Sequence, residues 1–261
     1  MRKLYLLLSL VMLLCLGCEW QLRSADERDD AMLVSVERYD RIEALYLTTG
    51  DYAALGQMNT TYPMQTRMLI ENILHLGKVD DPQINQKFHR FFQDSTLQVL
   101  IAEVEKQYAE TDDLERDLSS AFDRLCEMLP SLDVPQVYTQ IGSLDQSIVV
   151  SDGLLGISLD KYLGADNQLY MKYGYSDRQR EMMQRSYIVP DCLGFYLLSL
   201  YPFPAEREWS QQERNRHMGR IQWVVNRAMK RKVFENEYVA AADRLMKHDK
   251  GMSVEQLLKD I

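Results

Sequence analysis

Glycine and proline are scarce in this chain, 12 and 7 among 261 residues. So few interrupters, beside 46% hydrophobic residues, leave enough apolar surface for a substantial core and exclude a chain disordered throughout. Cysteine is rarer still: Cys15 and Cys18 lie near the start, Cys126 and Cys192 far apart in apolar surroundings. That makes no disulfide framework, and the distant pair is expected as buried free thiols. Positive charge is outnumbered, 30 Lys and Arg against 39 Asp and Glu. With a pI near 5.1, no net field draws the chain onto phosphate, so no nucleic-acid partner is expected. Long apolar runs are missing as well. Leu4–Leu16 is too short to span a bilayer as a permanent helix but, after Arg2 and Lys3, suits the apolar core of an export signal.

The usual carriers of chemistry are also absent. A zinc hydrolase needs two imidazoles on one helix face beside a carboxylate, whereas His75, His89, His217 and His248 are scattered singly. There is no Gly-x-Ser-x-Gly elbow and no Gly-rich phosphate loop. Asp80-Asp81 and Asp112-Asp113 fall at expected helix starts, where capping explains them. No catalytic residue, metal ligand or cofactor is therefore assigned, and the expectation is a protein that is not an enzyme.

The first positive signal is Cys15-Leu16-Gly17-Cys18, which resembles the bacterial lipobox, although an aliphatic residue is usual where Cys15 stands. It implies removal of residues 1–17, lipid on the Cys18 sulfur, and a membrane-anchored protein of the cell envelope on the periplasmic side. Each buried acyl methylene contributes about 0.8 kcal/mol, so two or three chains hold firmly. Residues 18–31, rich in Asp and Glu, read as a tether able to reach roughly 40 Å when extended. Residues 32–261 read as a single α-rich domain.

Met32, Val36, Tyr39, Ile42 and Leu45 recur at helical spacing, and further helices are expected at Pro63–Leu76, after Asp81-Pro82, at Leu97–Ala109 and at Asp113–Met128. In the helix after Asp81, Ile84, Phe88, Phe91 and Phe92 form the expected buried stripe. Pro130 and Pro135 then break the helical pattern, and Val137, Thr139 and Ile141 alternate with Tyr138 and Gln140 as in a strand. Asp152-Gly153 between Ser147–Ser151 and Leu154–Ser158 predicts a tight hairpin over 147–158. Ser176 is an expected N-cap, and Pro190 either bends the following helix or restarts it with Asp191 in the first turn. Ser210–Lys232, Glu235–His248 and Ser253–Leu258 complete the helices. The fold class is α+β, predominantly helical, around a small antiparallel sheet of about three strands.

From Arg214 to Lys232 there are seven basic residues and no acid. Arg216, Arg220, Arg227 and Arg231 share one helical face, opposite Ile221, Val224, Val225, Ala228 and Met229. The stripe is either a solvated face or a contact surface for a partner or anionic lipid.

Gly156-Ile-Ser-Leu-Asp160-Lys-Tyr162-Leu163-Gly164, a short loop to Tyr170, then Arg180 and Tyr187-Ile-Val-Pro190-Asp191, resembles the gliding-motility lipoprotein B family of Bacteroidetes. The similarity extends more loosely over the N-terminal helices. It implies a lipid-anchored envelope protein acting through contacts with a protein partner, as a helper or assembly factor of gliding. The family is in turn distantly similar to predicted zincin-like proteases, which implies a degenerate zincin-like core. Here Pro190-Asp-Cys-Leu-Gly194 stands where that motif would carry its imidazoles. Asp160, Tyr162, Leu163, Gly164, Arg180, Pro190 and Asp191 are then expected to hold loop against helix or to line a groove. The alternatives are a divergent hydrolase recruiting His217 or His248, and an anionic-membrane-binding module using the basic helix.

Overall fold

Two short backbone segments, one before the first helix and one after the sixth, meet as neighbouring strands, and the architecture follows from that meeting. The computed structural model describes residues 33–204 and 208–259; Cys18, the signal and the tether lie outside them. Strand β1 (Val36–Glu37) pairs in parallel with β2 (Gln136–Gln140), β2 in parallel with β4 (Leu154–Ser158), and β4 antiparallel with β3 (Ile148–Ser151). The sheet order is β1-β2-β4-β3, so the expected three-stranded antiparallel sheet is instead four-stranded and mixed. Only β3–β4 is a hairpin, and its turn has positive φ at Asp152 (47°) and Gly153 (77°), as the Asp-Gly pair required. Nearly all of β2 and β4 is buried, both faces included, so the polar-out alternation read into β2 does not hold.

Between β1 and β2 run α1 (Tyr39–Thr49), α2 (Tyr52–Thr60), α3 (Pro63–Arg67), α4 (Ile84–Phe91), α5 (Ser95–Gln107) and α6 (Asp112–Met128). α3 continues as a π-helix, Met68–Ile73. The helix expected from Met32 begins only at Tyr39, because Val36 and Glu37 are used as strand. Its buried face is also rotated: Asp40 and Glu43 are buried beside Tyr39 and Leu47, while Leu45 is 45% exposed. Asp81 does not cap a helix directly. It closes a turn by accepting from Gln83 N at 2.8 Å, and α4 starts three residues later. Phe88 and Phe92 are buried there, but Phe91 is at the surface.

After the sheet come α7 (Gln168–Lys172), α8 (Asp177–Met182), α9 (Ile188–Leu200), α10 (Gln211–Ala228), α11 (Glu237–His248) and α12 (Val254–Lys259). Ser176 forms a capping box with Gln179, as does Ser210 with Glu213. Pro190 occupies the first turn of α9, where its missing N–H costs nothing, so the chain restarts as a helix instead of bending. α9 packs on β3, β4, α6 and α10, and one continuous apolar core runs through all these elements. Cys126 is half-buried and Cys192 buried, both as free thiols.

Candidate functional site

Where β2 leaves the sheet, its unpaired amides are taken over by buried acids. Ile141 N donates to Glu43 Oε2 at 2.9 Å, Gly142 N to Asp160 Oδ1 at 2.8 Å and Leu144 N to Asp160 Oδ2 at 2.5 Å. This clamp holds Ser143 and Leu144 at φ of 55° and 63°, a left-handed stretch that neither residue type favours. Asp40 joins the same buried polar layer, accepting from Arg38 in bidentate fashion (2.8 and 2.7 Å) and from Thr139 Oγ1 at 2.5 Å. Burial pushes the Glu43 carboxyl well above the usual range, and Asp160 is raised for the same reason despite its two amide donors. Glu43 Oε1 and Gln140 Oε1 are buried without a partner among the described residues. A protonated Glu43 is the form that suits an orphaned oxygen there.

The clamped loop forms one lip of a groove of about 400 Å³ beside α9. Leu144 O accepts from Lys161 Nζ at 3.2 Å and from Tyr175 Oη at 2.9 Å, and Lys161 also lies 4.7 Å from the Tyr175 ring centre. From the short 3-10 turn Leu159–Tyr162, Tyr162 Oη donates to Asp191 Oδ2 at 2.8 Å, with Ser147 against the same hydroxyl. Asp191 is half-buried on the groove wall, and desolvation raises its pKa to about 6 even though the Tyr162 hydrogen bond works the other way. The rest of the wall is apolar and adaptable: Met182, Met183, Phe195, Leu198, Met218 and Phe234 come from four separate stretches of chain. Met182 and Phe195, both lining the groove, are 44% and 43% exposed.

The family-motif residues therefore divide by position. Tyr162, Pro190 and Asp191 line the groove. Asp160 and Leu163 hold the turn behind it: Tyr170 Oη donates to Asp160 O at 2.6 Å, and Leu163 N donates to Tyr170 Oη at 2.8 Å. Gly164, at φ 107°, donates its N–H to Met183 O at 2.9 Å. Arg180 ties this loop down through Ala165 O (2.9 Å) and Asp177 (2.5 Å). Sequence reasoning missed Met182, Phe195, Met218 and Phe234, since ordinary core spacing hides residues that tertiary packing leaves open. It also missed Arg185, which grips Asp113 (2.8 and 2.6 Å) and the carbonyls of Gln107 and Glu110 where α5 meets α6.

The basic stripe is broken up. α10 ends at Ala228, not Lys232, so Arg231 leaves the helix and donates to Ser186 O at 3.0 Å. Arg227 stacks over Trp223 at 5.1 Å, while Arg216 is exposed. His217 is 1% exposed. Its Nε2 lies 2.7 Å from Tyr201 O, an acceptor only, so Nε2 carries the proton and the buried Nδ1 has no partner among the described residues. Burial lowers its pKa and keeps the ring neutral. His248 is exposed at the end of α11. Among the described residues, no three His, Cys, Asp or Glu side chains cluster closely enough to hold a metal ion.

A helix-rich α+β shell built on a small mixed sheet, with a groove walled largely by methionine and aromatic side chains, defines the class. The family model described as gliding motility protein GldB matches residues 23–232, and the chain belongs to that family. It is a gliding-motility lipoprotein, associated with a membrane of the cell envelope. Among the described residues no helix is long and apolar enough to cross a membrane. No curated protein and no solved structure matches the chain, zincins included.

Proposed function

We propose that this protein, held by lipid on Cys18 at the periplasmic side of a membrane, serves gliding as a helper or assembly factor that works by protein contacts and not by turnover. The observation that carries this reading is the groove beside α9: thioether and aromatic side chains, which repack cheaply around different shapes, stand open to solvent around one carboxyl group. An envelope protein partner that buries this surface would gain the apolar area that Met182 and Phe195 now leave in water.

A photo-crosslinking residue placed at Met182 or Phe195 in the native host is expected to trap a defined protein partner, and the same residue at Tyr52, 85% exposed and not among the groove residues, is expected not to. Equal trapping at all three positions, or none, would count against the groove. Stoichiometric zinc in the purified full chain, with peptide hydrolysis abolished by a chelator, would replace the helper reading by the hydrolase.

A further inference from the structure

The groove carries one charged acceptor, and that acceptor has no counter-ion. Among the described residues only the Tyr162 hydroxyl donates to Asp191, through Oδ2, and no Lys or Arg pairs with it. The basic residue among those lining the groove, Lys161, is already engaged by Leu144 O and by the Tyr175 hydroxyl and ring. The other titratable groups against Asp191 are Tyr162 and Cys192, and both are neutral at physiological pH because burial raises them further. A carboxyl on an apolar wall is costly as an ion unless a positive charge arrives to share the desolvated space.

We infer that the groove takes a peptide segment of the partner that is apolar except for one basic side chain, whose ammonium or guanidinium seats on Asp191 Oδ1. The inference rests on the protein-contact reading above and specifies the chemistry of the segment recognised. Three observations converge on it. The free Oδ1 of Asp191 supplies an acceptor already oriented by the Tyr162 hydrogen bond on the sister oxygen. Phe195 and Phe234, with their ring faces, and the three methionines accommodate the aliphatic stem of a Lys or Arg and the apolar residues beside it. An anionic occupant such as a fatty acid or a phosphate headgroup would instead meet an acid with no cation free to balance it.

Binding by such a segment favours the ionised form of Asp191, so affinity is expected to be greatest above about pH 6 and to weaken as the carboxyl gains its proton below that. Cys192 and Tyr162, both raised by burial, do not titrate in that window.

The test is selection of a displayed library of random decapeptides on the full chain held in lipid nanodiscs. Bound peptides are eluted with free chain of the same kind, in parallel with Asp191→Asn and Phe195→Asp variants whose folding is checked by circular dichroism. The expected result is enrichment of sequences with one Lys or Arg between apolar residues, lost on Phe195→Asp and stripped of its basic preference on Asp191→Asn. A selected peptide with its Lys replaced by norleucine should bind about tenfold more weakly at pH 8 and equally at pH 5. Enrichment of apolar peptides without a basic residue would overturn this inference and leave the groove reading standing. Enrichment insensitive to Phe195→Asp, or no enrichment, would overturn both. Displacement of selected peptides by palmitate as readily as by free peptide would show an acyl-chain site and overturn the inference as well.

Discussion

A carboxyl group raised by burial costs stability once it ionises, and three acids here are in that position. Asp191 rises from 3.8 to about 6, so its contribution to folding is fullest below pH 3.8 and is lost as pH climbs through 6. Asp191→Asn keeps the Tyr162 hydrogen bond on an amide oxygen and removes the charge. Chemical denaturation should show the variant more stable by on the order of 1–2 kcal/mol at pH 8, with the gain vanishing near pH 4. Glu43 moves in the same direction with no ion partner, and its orphaned Oε1 faces no donor among the described residues. Glu43→Gln should therefore lessen the loss of stability as pH rises above the ordinary carboxyl range, while keeping the Ile141 hydrogen bond. Glu43→Ala should lower the melting temperature at every pH by leaving that buried amide unpaired, a cost of about 1–3 kcal/mol. Neither acid was legible as buried from sequence. Charged residues at helical spacing look solvated, and only the meeting of α1 with the end of β2 gives Glu43 its amide to serve.

Helices and strands approach most closely where glycine lets them. α10 and α11 lie side by side, with Gly219 against Tyr238 and the Trp223 indole donating to Asp243 at 3.1 Å. A methyl group on Gly219 would stand 2.7 Å from the Tyr238 carbonyl carbon, which is backbone and cannot turn aside. Gly219→Ala should lower the melting temperature by the equivalent of about 1–3 kcal/mol, against the gain that alanine brings to an open helix position. Asp160→Asn keeps an acceptor for one of the two amides and turns a donor toward the other, so the 141–147 loop should loosen. Faster amide exchange at Gly142 and Leu144 than at the β3–β4 pairs would register it. The locally encoded elements were readable: the Asp152-Gly153 turn, the Ser176 cap and the restart at Pro190 each depend on residues within a turn of one another. β1 was not, because two residues of strand carry no period and pair with a segment about a hundred positions later.

At the scale of the whole molecule, the proposed reading assigns attachment and recognition to separate parts of the chain. The family match makes the chain a gliding-motility lipoprotein, and the proposed attachment through lipid on Cys18 is open to a direct test. Cys18→Ala should move the protein from the membrane to the soluble fraction after cell lysis and abolish incorporation of radiolabelled palmitate. A variant that stays in the membrane would point to another anchor. The four arginines of the basic stripe no longer share one helical face: Arg227 stacks on Trp223, and Arg231, beyond the end of α10, donates to Ser186 O.

Sequence alone determined the helix-rich class and the hairpin, because each is written in neighbouring residues whose torsions, caps and hydrophobic spacing act over a few positions. The family resemblance came from a contiguous motif, and the match over residues 23–232 bears it out. Tertiary structure alone decided the parallel pairing of β1 with β2, the burial of Glu43 and Asp160, and the opening of a groove around Asp191. Those features depend on which distant surfaces exclude water from one another, and desolvation is a property of the assembled packing that no local pattern records.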